Sequence, residues 1–183
     1  MKTSMLRSVS LLALACAALS ASAQNLVVNG DFSTGSFAPD WSVSGSNVSL
    51  ENNGVGFTTP YARFGAIGST GTLSQTIATS TGSSYTFEFD LINSGGTPNS
   101  FVASFGGSTV LSLLDSPSFG VTHFSYSVLA TSGSTTISFT GRQDPSFYRL
   151  DNVSVTPLST AAVPGPLAAL PFALMALKRR KRA

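Results

Sequence analysis

The 183-residue sequence predicts an all-β protein, about ten short antiparallel strands folded as a sandwich or barrel. Three observations carry this. Apolar and polar residues alternate with period two along several stretches, so each stretch buries one face and wets the other. Turn signals rich in Gly, Ser and Asn separate these stretches at short intervals. Between Gln24 and Thr160, no stretch combines helical periodicity with helix caps.

Taken in order, the predicted strands begin with Asn25–Val28, Trp41–Val43, Val48–Leu50, Ala62–Phe64 and Thr72–Ala78. Tyr85–Leu91 alternates most clearly, with Tyr85, Phe87, Phe89 and Leu91 on one face and Thr86, Glu88 and Asp90 on the other. Asn93–Asn99 is a longer loop. Phe101–Phe105 and Val110–Leu114 follow, joined through Gly106-Gly107, a two-residue loop that takes positive φ at both positions. Phe124, Tyr126, Val128 and Ala130 alternate with His123, Ser125 and Ser127, and Ser132-Gly133 predicts a hairpin into Ile137–Thr140. Val153 and Val155 alternate with Asn152 and Ser154 in the closing strand.

The two ends differ from this body. Residues 1–23 form a secretory signal: Lys2 and Arg7 are the charged region, Val9–Leu19 the apolar run, and Ala21-Ser22-Ala23 a small-residue cleavage site. The only cysteine, Cys16, lies within it, so the mature protein has no thiol chemistry or disulfide. The tail runs from a Pro-Gly-Pro turn through apolar Leu167–Leu177 into Lys178, Arg179, Arg180, Lys181 and Arg182, a cluster that stays on the cytoplasmic side. From Ala161 to Leu177 a helix would span about 25 Å against a hydrocarbon core of roughly 30 Å, and Pro171 interrupts it, which suits a transient anchor. The domains are therefore the signal peptide at 1–23, the β-domain at 24–157, a linker at 158–162 and the tail at 163–183.

Stripped of its ends, the chain changes sign. Between Gln24 and Thr160 only Arg63, Arg142 and Arg149 are basic, and all eight acids lie there. An acidic body without lysine excludes nucleic-acid binding, which needs a basic patch.

The tail resembles the PEP-CTERM sorting signal of Gram-negative bacteria, with Val163-Pro164-Gly165-Pro166 where Val-Pro-Glu-Pro is usual. The resemblance implies processing by an exosortase-type enzyme, brief residence in the inner membrane, and delivery to the envelope surface or extracellular matrix. The opening Asn29-Gly30-Asp31-Phe32, followed by Trp41, and the closing Leu150-Asp151-Asn152-Val153-Ser154-Val155 resemble jelly-roll modules of the galactose-binding-like and carbohydrate-binding kind. That resemblance implies a jelly-roll sandwich whose first and last strands lie close together, and a structural calcium ion held by Asp31 and Asp151. Here Ser33 stands where the related motif often has glutamate.

By strand parity, Asp151 points inward with Val153 and Val155 and must find a cation or several donors. Calcium would suit such oxygen ligands; Arg63, Arg149 or backbone N–H groups are the alternative partners. For a sugar, Arg142, Gln143, Asp144, Phe147 and Tyr148 gather a guanidinium, an amide, a carboxylate and two aromatics in one loop, with Asn99 and Trp41 as outlying candidates. Trp41 is better explained as core. His123 is a surface residue by parity, and Glu88 and Asp90 share a wet face about 6–7 Å apart, a spacing that glycosidases also use. Two solvated acids remain the simpler explanation. The expectation is thus an exported, non-catalytic surface or matrix protein associated with polysaccharide or biofilm, with glycan binding as its candidate activity. A secreted glycoside hydrolase or lyase using Glu88, Asp90 or Asp144 is one alternative, and a passive structural surface protein is the other.

Overall fold

The alternation in the sequence becomes ten strands because each stretch buries its aromatic and branched residues against one shared interior. The structure, a computed structural model, describes residues 24–144 and 146–158. The predicted signal peptide and sorting tail lie outside the described residues. The strands are β1 (Ser42–Gly45), β2 (Val48–Glu51), β3 (Tyr61–Phe64), β4 (Gly71–Ala78), β5 (Ser84–Asn93), β6 (Asn99–Phe105), β7 (Ser108–Leu114), β8 (Phe119–Leu129), β9 (Ser134–Gln143) and β10 (Tyr148–Pro157). They form two antiparallel five-stranded sheets: a first in the order β1-β4-β9-β6-β7 and a second in the order β2-β3-β10-β5-β8.

Between the sheets lies a core rich in aromatic rings. Phe139 sits at its centre, with the rings of Phe89, Phe87, Phe101 and Trp41 at centroid distances of 5.1, 5.8, 6.2 and 6.3 Å. Burying each such ring contributes about 1.5–3 kcal/mol, and tilted or edge-on pairs add to it. Trp41 is core, as expected, and its indole N–H donates to the Asn29 carbonyl at 3.0 Å. The Gly106-Gly107 hairpin forms with φ of 57° and 82°. The Ser132-Gly133 hairpin does not. β8 pairs with β5 in the second sheet, whereas β9 pairs with β4 and β6 in the first. The residues between β8 and β9 carry the chain across the core, because β9 must fill the centre of the opposite sheet.

Asn25–Val28, predicted as a strand, is instead an extended segment held mainly by side-chain amides. Leu26 donates to the Val155 carbonyl at 2.8 Å, and Asn25 Oδ1 accepts from Val155 N–H at 2.9 Å. Gln75 of β4 then clamps Val28, accepting from its N–H and donating to its carbonyl, each at 2.9 Å. One short segment thereby bridges β10 of the second sheet and β4 of the first. Its end is fixed where the Gly30 carbonyl accepts from Val153 N–H at 2.9 Å. A Cβ on Gly30 would lie 2.0 Å from the Val153 carbonyl oxygen, so only glycine permits this approach. Substitution Gly30→Ala is expected to lower stability by about 1–3 kcal/mol in denaturant unfolding; an unchanged midpoint would show that the clasp does not constrain the fold.

Candidate functional site

The two sheets present chemically opposite outer faces. On β4, Thr72, Ser74 and Thr76 alternate with buried Leu73, Gln75 and Ile77; on β9, Thr136, Ser138 and Thr140 alternate with buried Ile137 and Phe139. Register places Thr72 opposite Thr140, Ser74 opposite Ser138 and Thr76 opposite Thr136. Hydroxyl pairs close at 2.9 Å between Thr72 and Thr140 and at 3.0 Å between Thr76 and Thr136. Ser42 and Ser44 extend the rows onto β1, and Ser104 extends them onto β6. The strands of the first sheet carry a single charged residue, Arg142 near the end of β9. The pattern behind this face was visible as Thr72-x-Ser74-x-Thr76 and Thr136-x-Ser138-x-Thr140, but only pairing in register turns two patterns into one surface.

Arg142 lies at the margin of this face, its guanidinium 2.8 Å from Asp144. Asp144 also accepts from the Gly68 N–H. The hydrogen bond from Arg142 holds the Asp144 carboxyl below its ordinary range. Gln143 and Tyr148 of the predicted sugar loop do not face solvent. Tyr148 is fully buried and donates to Asn99 Oδ1, so it offers no ring face for a sugar. Asn99 also receives the Ser116 N–H and donates to the Ser116 and Gly96 carbonyls. Gln143 is equally buried and donates to Asn93 Oδ1, while Asn93 donates to the Ser116 and Pro117 carbonyls. These side chains lock three loops together by pairing buried polar groups, with Gln143 Oε1 left without a partner among the described residues. Phe147 lies apart, under the Arg63 guanidinium at 4.4 Å.

Asp151 is buried, but on the opposite side from the one parity predicts. Asn152, at φ 52°, opens a bulge between Asp151 and Ser154, which reverses the alternation there. Asp151 therefore stands opposite Asp90, on the outer side of the second sheet, beneath Thr59. Its carboxylate accepts from the Thr59 hydroxyl at 3.0 Å and from the Asn152 N–H at 2.8 Å. Neither Arg63 nor Arg149 is its ion-pair partner. Burial, with smaller contributions from the Asp31 and Asp90 charges, pushes its pKa up to about 6. Asp31 is exposed and lines a cleft of about 390 Å³ with Asn29, Gly30, Asn152 and Ser154. Calcium prefers carboxylate and carbonyl oxygens, and Asp31 is the one carboxylate that lines this cleft. Among the described residues, no three His, Cys, Asp or Glu side chains converge as a metal-binding group. Any ion held there would depend on Asp31, Asp151 and backbone carbonyls.

Glu88 and Asp90 occupy the outer face of the second sheet, as expected, and both are engaged. Ser125 donates to Glu88 at 2.9 Å, and Asn152 donates to Asp90 at 2.8 Å. His123 Nδ1 lies 2.8 Å from Asp90, and that hydrogen bond chiefly raises the His123 pKa. His123 is exposed, as parity predicts.

No family model matches the chain, and neither does any curated protein. Solved structures do resemble it. A structure of TmCBM61 in complex with β-1,4-galactotriose superposes with a TM-score of 0.58 at 15% identity, covering 74% of this chain and 99% of that one. A xylan-binding domain from Paenibacillus barcinonensis gives 0.52 at 10% identity, covering 76% and 98%. The enzymatically active domain of a tailspike protein from Bacteriophage CBA120 gives 0.54 at 16% identity, but the match spans only 21% of that chain. These likenesses establish the jelly-roll sandwich.

The buried carboxylate sets a pH dependence. The folded state holds the Asp151 proton up to about pH 6, whereas an unfolded chain releases it near pH 3.8. Stability therefore falls as pH rises through that window and stays lower above it. Without divalent cations, Asp151→Asn is expected to raise stability at pH 8 by at most about 3 kcal/mol, with the gain vanishing towards pH 4. Thermal unfolding at both pH values measures this, and a loss of stability at pH 8 would contradict it.

Proposed function

We propose that this chain is an exported, non-catalytic β-sandwich that holds extracellular polysaccharide on the outer face of its first sheet. The hydroxyl surface running to Arg142 carries this reading. Each Ser or Thr hydroxyl both donates and accepts, as sugar hydroxyls do, and no carboxylate on these strands repels an acidic sugar. Single hydroxyl contacts contribute little net free energy, so affinity comes from many of them along one polymer. Arg142 adds direction: its fork can engage vicinal hydroxyls or a uronate in exchange for Asp144. The likeness in fold to structures that bind β-1,4-galactotriose and xylan supports the reading.

The leader at 1–23 sends the chain through the inner membrane. The tail at 163–183 holds it there until an exosortase-type enzyme acts at Val163–Pro166, and the domain passes to the envelope surface or matrix, where polysaccharide or biofilm is its partner. The engagement of Glu88 and Asp90 by neighbouring side chains favours a non-catalytic role over hydrolysis or lyase chemistry. A calcium ion at Asp31 and Asp151 would serve stability rather than contact with the glycan, since Asp151 belongs to the other sheet.

Binding to the producing organism's exopolysaccharide, followed by affinity electrophoresis, tests this. Saturable retardation is expected, weakened roughly tenfold by Arg142→Ala, which corresponds to about 1.4 kcal/mol, and independent of chelator. A folded domain that shows no retardation would leave a passive surface protein.

A further inference from the structure

The outer edges of the sandwich are treated unequally. On one side the edge strands β1 and β2 have four residues each, and β2 ends in Glu51, which pairs with Arg63 at 3.1 Å. On the other side the edges are β7, with seven residues, and β8, with eleven. Among the described residues β8 pairs on one side only, with β5, which leaves a row of backbone donors and acceptors along its other side. Long edges are usually blunted by lysine, proline or an inward charge. β8 has no proline, no acid, no lysine and no arginine; His123 is its only titratable group besides Tyr126. It also exposes two large apolar residues on its outer face, Val121 at 52% and Leu129 at 58%.

We infer that β8 is a self-pairing edge through which two copies of this chain join their second sheets into one antiparallel sheet about a twofold axis at Ser125. The occupant follows from charge and register. In a twofold antiparallel pair every residue meets a fixed counterpart on an identical strand. A strand bearing charges of one sign would therefore confront itself, and β8 carries neither acid nor lysine. With Ser125 opposite the partner's Ser125, Val121 meets the partner's Leu129 and Leu129 meets the partner's Val121. Both exposed apolar residues are then covered by each other. On the inner side, Phe124 aligns with the partner's Tyr126, an aromatic cross-strand pair. Centring on His123 instead would set Val121 against the partner's Ser125 and oppose the two histidines. Main-chain hydrogen bonds supply the affinity and these side-chain pairs set the register. The glycan face lies on the other sheet and remains open in the pair.

Sedimentation equilibrium of the purified protein tests the inference. Twice the chain mass is expected, reverting to the single-chain mass in Val121→Lys/Leu129→Lys, which would oppose lysines at both ends of the joint. Both side chains are exposed, so the far-UV circular dichroism should stay that of the folded sandwich. Ser138→Lys, on the first sheet, should remain dimeric. In a Cys16→Ser background, Ser125→Cys should form a disulfide-linked dimer under mild oxidation, because directly opposed antiparallel residues lie about 4.5–5.5 Å apart at Cα, within disulfide range. A single-chain mass across the accessible concentrations would overturn the inference. So would a dimer that survives the double lysine substitution, or one that Ser125→Cys fails to link.

Discussion

The contact between Gly30 and Val153 sets the terms for much of this molecule. One residue without a side chain lets the opening turn lie directly on the closing strand, with a backbone hydrogen bond on the spot. Upstream, Asn25 and Gln75 tie the same segment to both sheets. Downstream, Phe32 is delivered into the core against Trp41. The bulge at Asn152 lies beside the clasp and moves Asp151 off the core side of β10. Chain closure, inter-sheet bridging and burial of a carboxylate thus share one site.

Charge is then distributed by sheet. Glu51, Arg63, Glu88, Asp90, His123, Arg149 and Asp151 all belong to strands of the second sheet, and Arg142 is the one charged residue on strands of the first. Among the strands the negative charge is thus confined to the second sheet, while Asp31, Asp40, Asp115 and Asp144 lie in the connecting segments. This leaves one face able to approach neutral or acidic polymers, while the other satisfies its acids through His123, Ser125, Thr59 and Asn152. The polar cluster of Asn93, Asn99, Gln143 and Tyr148 lies inside, where unmet hydrogen bonds would be costly, and it fastens the loops at the Arg142 end of the hydroxyl face.

What was legible in the sequence was what depends on near neighbours. Alternation located the strands, the Gly106-Gly107 pair located its hairpin, and parity placed His123, Glu88 and Asp90 correctly. What failed depended on partners distant in sequence. Ser132-Gly133 looks like a hairpin locally, but the pairing of β9 with β4 and β6 sends it across the core. Asn25–Val28 looks like a strand, yet only Leu26 bonds a neighbouring backbone, and the rest is held through the side chains of Asn25 and Gln75. Asp151 follows parity until one residue in the left-handed region reverses it. Tyr148 and Asn99 have the composition of a sugar site, and only the fold shows that they bind each other. For the same reason the hydroxyl face was present as two short patterns without being readable as one surface.

The central claim is that polysaccharide is held on the first sheet, and mapping the contact residue by residue tests it most directly. Backbone amide shifts recorded during titration with oligosaccharides cut from the exopolysaccharide would report the contact face. The account predicts perturbations along Thr72–Thr76 and Thr136–Arg142, with Ser104 at their border. Perturbations centred on Glu88, Asp90 and His123, or on Phe147 and Arg149, would contradict it.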